Sequence, residues 1–146
     1  MKNKIIKVLS LVMIAVLVSV TSVPVLAAAP PEGDSIQASS YINGVYASVT
    51  AGSGSVTVNF SITAKHQMTK LGATAIVIYD SHGNYAYSWG QNASGMMGSN
   101  RTFYSSSKTW YGATAGTKYY ADVAFKATDS SGYDTAGYTT GFCTPY

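Results

Sequence analysis

Strict alternation of apolar and polar residues is the feature that most limits how this chain can fold. In residues 55–64 small polar residues separate the apolar ones: Val56, Val58, Phe60 and Ile62. Residues 118–128 repeat the pattern: Tyr119, Ala121, Val123, Phe125 and Ala127. An extended chain with this period buries one side and exposes the other, so both segments predict half-buried β-strands.

Further strand signals follow at short intervals. Residues 73–80 are apolar on both sides, which predicts a central strand. Less regular runs predict strands at 46–51, 85–89, 101–111 and 133–140, separated by turns rich in Gly, Ser, Asn and Asp. Two polar stretches predict loops: 65–72, and 91–100 with its Met96-Met97 pair. No segment after residue 30 has apolar positions at helical spacing, so we expect an all-β antiparallel sandwich of about seven strands.

The first 29 residues have the pattern of a secretory signal peptide. Three lysines, Lys2, Lys4 and Lys7, precede an almost continuous apolar run at 8–20. Small residues then allow cleavage at three neighbouring positions: after Ala27, Ala28 or Ala29. The apolar run is short for a membrane span, which needs about 20 residues, so we expect cleavage and export to the extracellular space.

This signal sets the predicted organisation of the chain: signal peptide at 1–29, disordered lead-in at 30–34, β-sandwich domain at 35–142, C-terminal tail at 143–146. The processed chain is predicted to contain no stable membrane span. Cys143 is the single cysteine, so an internal disulfide is excluded, and it is either free or paired between chains.

Charge excludes one class of partner. The chain has nine basic and six acidic residues, but three of the lysines belong to the signal, which leaves a formally neutral processed chain. The remaining basic residues are scattered along the sequence. Nucleic-acid binding needs clustered Lys and Arg, so no nucleic-acid partner is predicted.

No pattern of a catalytic, metal or cofactor site is present. The carboxylates are too separated in the predicted strands to form a glycosidase pair, although Asp129 and Asp134 flank one turn. Residues 129–134 lack the ligands of an EF-hand and predict a hairpin turn. His66 and His82 fall at opposite ends of one strand, and His66 is within reach of Asp129. We therefore predict no enzyme activity, no metal and no cofactor.

Aromatic residues are the remaining candidates for a binding surface. Tyr85, Tyr87 and Trp89 alternate and so share one face, which serves either as core or as a ligand platform. Trp110 and Tyr111 are adjacent in another predicted strand. These five residues form the predicted interaction surface. Tyr120 and Tyr138 form a second outward set of lower weight.

Two resemblances extend this interpretation. Residues 115–123, with Gly116-Thr117 before Tyr119, resemble the entry to the penultimate strand of fibronectin type III and other Ig-like domains. That resemblance implies an Ig-like sandwich in which Tyr119 is the corner tyrosine. The whole processed chain also resembles a family of small secreted proteins of Gram-positive bacteria with no assigned activity. Residues 68–73, 76–79, 111–112, 116–121 and 125–134 carry the likeness.

Three functions follow as expectations. The first is a secreted, non-enzymatic module that acts by extracellular surface contact. The second is a small module that binds carbohydrate or cell wall through exposed aromatics. The third is a secreted bacteriocin-like effector. A polysaccharide or a cell-surface protein is the expected kind of partner.

Overall fold

A computed structural model of the protein describes residues 33–34 and 39–146. The described residues form strands and no helix: β1 (Gly33–Asp34), β2 (Ile42–Gly52), β3 (Ser55–Asp80), β4 (Tyr85–Gly90), β5 (Met97–Trp110), β6 (Tyr119–Thr128) and β7 (Tyr133–Thr139). Every strand pairing is antiparallel. The prediction of an all-β antiparallel domain is confirmed.

β3 is the strand around which the sheet is built. On one side it pairs with β2 along its first half and with β6 along its second half. On the other side it pairs with β5 and then with β4. β7 pairs with β6, and β1 adds to β7. Because β4 and β6 flank residues 75–79, the predicted central strand is confirmed.

The sheet is curled, and β3 bends with it. It contains 26 residues, which at 3.3 Å per residue would extend roughly 85 Å, far beyond the size of a domain of this length. Its pairing shifts between Thr63 and Met68 and again between Ala73 and Ala75. β-Bulges of this kind bend a strand and increase its twist. The curl brings Tyr46 of β2 against Tyr138 of β7, with ring centroids 5.5 Å apart.

The prediction of a loop at 65–72 is wrong, because β3 continues through it. Met68 and Leu71 are fully buried, but they are three residues apart, whereas the buried residues of a regular strand are two apart. The buried side of the strand changes between Met68 and Leu71 and changes back between Ala73 and Ile76, where the pairing with β6 is also irregular. A phase change of this kind removes the period-two signal, so a continuous strand has the sequence pattern of a loop.

Residues 91–96 form the connection between β4 and β5, and this connection closes against β3. The predicted loop at 91–100 therefore ends earlier, where β5 begins at Met97. Met96 is fully buried, and its carbonyl accepts a 2.8 Å hydrogen bond from the backbone N–H of Ala73. A Cβ atom at Gly72 would overlap the Met96 carbonyl and the Met97 Cα, so this close approach requires glycine.

The core occupies the inner side of the curled sheet. The alternating residues of 55–64 and 118–128 that we expected inside are buried. The largest fully buried side chains come from β3, β6 and the β4–β5 connection: Phe125, Ile62, Met68, Leu71, Ile76, Ile78 and Met96. The two alternation patterns are therefore confirmed as the source of the core.

The seven-stranded Ig-like sandwich is not confirmed. All described strands belong to one connected sheet, with the path β1-β7-β6-β3-β2, and β4 and β5 both join β3. A sandwich has two separate sheets, and the chain must leave one to enter the other. Here β3 itself continues from one half of the sheet to the other, which produces a half-barrel.

Both ends of the described domain are attached to the sheet. In the predicted lead-in, Gly33 and Asp34 pair with Thr139 and Tyr138, because β7 offers a free edge. The predicted tail at 143–146 packs against the turn at residues 52–54: Tyr146 N–H donates to Gly52 O (3.3 Å), and Gly54 N–H donates to Tyr146 O (3.0 Å). Pro145 is fully buried.

The predicted signal peptide at 1–29 lies outside the described residues. Within the part of the chain that the structure does describe, no helix is long and apolar enough to cross a membrane.

Candidate aromatic binding surfaces

A bulge in β4 separates the three aromatic residues that were predicted to share a face. Ile78 pairs with Tyr87, whereas Tyr79 pairs with Tyr85, so Ala86 is an extra residue between the two pairs. Ile78 is fully buried, which places Tyr87 on the inner side. Tyr85 lies on the opposite, outer side, where its hydroxyl is 3.1 Å from the hydroxyl of Ser88. The prediction that Tyr85, Tyr87 and Trp89 share one face is therefore wrong for Tyr85.

Tyr87, Trp89 and Trp110 form an inner cluster at the rim of the half-barrel. Tyr87 lies edge-on to Trp89 at 4.9 Å and is stacked on Trp110 at 6.0 Å with 13° between the planes. Trp110 in turn contacts the buried ring of Tyr119 edge-on at 5.5 Å. Offset and edge-on pairs at these distances are favourable. Trp89 and Trp110 are partly buried and pack against the core, so this cluster is mainly packing.

Tyr119 makes the contact that was expected of a corner tyrosine. It is buried, and its hydroxyl accepts a 3.1 Å hydrogen bond from the backbone N–H of Thr114, five residues earlier. This bond ties the connection between β5 and β6 to the start of β6. The contact is the one that corner tyrosines make in Ig-like domains.

Four aromatic residues form a row across the outer side of the sheet, which we call the outer strip: Tyr85, Tyr79, Tyr120 and Phe142. Tyr79 and Tyr120 are register partners on β3 and β6, stacked at 5.4 Å with 24° between the planes. Phe142 lies edge-on to Tyr120 at 5.5 Å. Tyr85 is the register partner of Tyr79 on the other side and is 64% exposed. The strip thus crosses three paired strands and the segment after β7.

Sequence reasoning missed half of the outer strip. Tyr79 was grouped with an apolar central strand, and Phe142 was assigned to the end of the domain without a role. Tyr120 was correctly placed outward, but its expected companion Tyr138 pairs with the buried Val123 and contacts Tyr46 instead. Tyr111, the fifth predicted surface residue, is 82% exposed and belongs to neither surface.

Asp122 is the carboxylate beside the outer strip. It lies two residues beyond Tyr120 on the same face of β6, and its Oδ1 accepts a 2.7 Å hydrogen bond from the Thr139 hydroxyl. Burial raises the pKa of Tyr120, and the charge of Asp122 adds to this effect. The Tyr120 phenol therefore stays neutral and keeps its proton for hydrogen bonding.

Three other carboxylates are used in local structure. Hydrogen bonds from Asn84 hold the pKa of the Asp80 carboxyl below its ordinary value. The pKa of Asp129 is lowered by the hydrogen bond with His66, whose Nε2 is 3.0 Å from Oδ2, and by the backbone N–H of Ser131. The predicted approach of His66 to Asp129 and the hairpin turn that follows are confirmed.

Asp134 binds the chain that enters β2. Its Oδ2 accepts hydrogen bonds from the Ser39 hydroxyl (2.6 Å) and the Tyr41 N–H (2.7 Å), and the first of these chiefly lowers its pKa. Burial raises the pKa of the Cys143 thiol, so the thiol keeps its proton at neutral pH. Among the described residues no group of three His, Cys, Asp or Glu side chains is close enough to hold a metal ion.

No protein-family model matches this chain, and no curated protein matches it in a sequence search.

Proposed function

We propose that the protein is an exported, non-enzymatic binding module that acts by surface contact outside the cell. One observation carries the proposal: in the described part of the chain, every exposed large hydrophobic side chain is aromatic. These residues are Tyr46, Tyr85, Tyr87, Phe103, Tyr111, Tyr133, Phe142 and Tyr146. Aromatic side chains combine a large contact area with low conformational entropy and dominate many binding interfaces.

The polar chemistry of the domain supports a contact role. Asp80, Asp129 and Asp134 accept hydrogen bonds from nearby backbone N–H groups and so stabilise turns and the entry to β2. Their pKa values are lowered, whereas a general acid at neutral pH needs a raised one. In the structure, these carboxylates fix the positions of backbone segments through hydrogen bonds.

Export and ancestry are part of the same proposal. The pattern of residues 1–29 supports secretion. The motifs at 68–73, 76–79, 111–112, 116–121 and 125–134 support membership of the family of small Gram-positive secreted proteins. For the fold, we propose that the two halves of the curled sheet correspond to the two layers of an Ig-like sandwich. The hydrogen bond between Tyr119 and Thr114 supports this correspondence.

The test is retention of the processed chain, residues 30–146, on insoluble glycans, purified cell wall and whole bacteria. We expect retention on at least one of these materials, and a decrease when Tyr85 and Tyr87 are both replaced by alanine. Thr102→Ala, at an exposed polar position on β5, is the matched control and should bind as the parent does. Absence of retention on every material would refute surface contact, and inhibition of co-cultured bacteria would then favour the effector.

A further inference from the structure

We propose that the outer strip is a binding site for a neutral, linear glycan. This inference rests on the proposed function and names its ligand class. The four residues of the strip lie on four adjacent extended segments: Tyr85 on β4, Tyr79 on β3, Tyr120 on β6 and Phe142 on the segment after β7. A β-bridge between Cys143 and Tyr119 places this last segment beside β6. With about 4.8 Å between adjacent segments, the strip is roughly 14 Å long, which is enough for several sugar rings.

The strip offers exposed rings at its two ends and a stacked pair between them. Tyr79 and Tyr120 are stacked on each other at 5.4 Å, so each ring has one face against the other. Tyr85 at one end is 64% exposed, and Phe142 at the other end is turned by 83° relative to Tyr120 and is 37% exposed. Hexoses whose substituents are equatorial expose flat C–H faces that pack on aromatic rings, so a linear chain of such sugars can lie across the strands with its ends on Tyr85 and Phe142.

Polar groups along the strip favour a sugar over an apolar protein surface. Tyr79, Tyr85 and Tyr120 each carry a phenol hydroxyl, and Oδ2 of Asp122 accepts no hydrogen bond from the described residues, since Thr139 bonds Oδ1. The Tyr85 hydroxyl already contacts Ser88, but an apolar partner would bury the hydroxyls of Tyr79 and Tyr120 and Oδ2 of Asp122 without a hydrogen-bond partner, which is unfavourable. A sugar has hydroxyl donors at the edges of its apolar faces and satisfies both requirements at once.

The charges around Tyr120 favour a neutral chain. Lys118 precedes Tyr120 by two residues and Asp122 follows it by two, so one charge of each sign flanks the ring. Lys126, farther along β6, is held 4.1 Å from the ring centroid of Tyr133. Asp80 accepts hydrogen bonds from the Asn84 amide and from backbone N–H groups, which leave it ionised, so its charge adds to that of Asp122. The strip therefore has no excess of positive charge, and an anionic polymer is disfavoured relative to a neutral chain.

The experiment is calorimetric titration of the processed chain with three soluble probes: cellohexaose, chitohexaose and polygalacturonate. We expect a neutral hexaose to bind and polygalacturonate to bind more weakly or not at all. Tyr85→Ala should weaken binding about threefold to tenfold, the range for one aromatic contact. Asp122→Asn should also weaken it. Thr102→Ala changes an exposed polar residue of β5 outside the strip, and it should bind within twofold of the parent.

The outcomes separate this inference from the function on which it rests. Two results refute the glycan site while the proposed surface-contact function stands: retention on cells or cell wall that neither neutral hexaose reduces, and retention that Tyr85→Ala leaves unchanged. Retention that polygalacturonate or a lysine-rich peptide competes better than the hexaoses also overturns the glycan site. No retention on any material refutes both. Tyr85 is exposed at a sheet edge, so its substitution tests binding without unfolding the domain.

Discussion

Met96 provides the sharpest test of how the β4–β5 connection attaches to the core. Its side chain is fully buried beside Gly72, whereas that of the neighbouring Met97 is partly exposed. Replacing a buried methionine by alanine removes packed atoms and leaves a cavity, which costs about 2 to 5 kcal/mol. The same change at Met97 removes a half-buried side chain and should cost about 1 kcal/mol. Domain stabilities are about 5 to 15 kcal/mol, so the first loss is large.

Urea unfolding of Met96→Ala and Met97→Ala, followed by tryptophan fluorescence, measures this difference. With a loss of about 3 kcal/mol and a slope of about 1.5 kcal/mol per molar urea, the midpoint of Met96→Ala should fall by about 2 M. The midpoint of Met97→Ala should fall by less than about 1 M. Equal shifts, or a larger one for Met97→Ala, would show that the connection does not insert Met96 into the core.

Further predictions concern the backbone and the turns, and urea midpoints check all of them. Gly72→Ala should destabilise the fold by more than about 1 kcal/mol, because the added Cβ overlaps backbone of the β4–β5 connection, whereas Gly44→Ala has open space and should be nearly neutral. Tyr119→Phe should cost about 1 kcal/mol through the bond to Thr114, and an unchanged midpoint would contradict the corner role. The folded pKa of Asp134 lies below its ordinary value of 3.8, so its stabilising effect is present above that pH and is lost as pH falls through the folded pKa. The midpoint should therefore be flat from about pH 7 to 5 and fall below about pH 4, and Asp134→Asn should reduce this fall.

Period-two alternation was sufficient to predict the strands whose phase never changes. β6 alternates without interruption from Tyr119 to Ala127, and β3 does so from Val56 to Ala64. The residues predicted to be buried in these two segments are therefore all buried. The second half of β3 was only partly predictable, since its buried residues are spaced by three and then by two. Each bulge there lets one long strand follow the curl of the sheet. The same bulges remove the signal that would show the strand to be continuous.

The outer strip could not be predicted because its residues are brought together by register and not by spacing. Tyr79, Tyr85 and Tyr120 belong to different strands, and Phe142 follows the last one. Within β4 the alternation suggested that Tyr85 shares a face with Tyr87, yet the extra residue Ala86 moves Tyr85 to the side of Tyr79. A shift of one residue reverses the face of every side chain beyond it. The bulge in β4 therefore decides whether Tyr85 extends the inner cluster or completes a row of rings on the outer side, and binding by Tyr85→Ala and Tyr87→Ala reports which face the ligand uses.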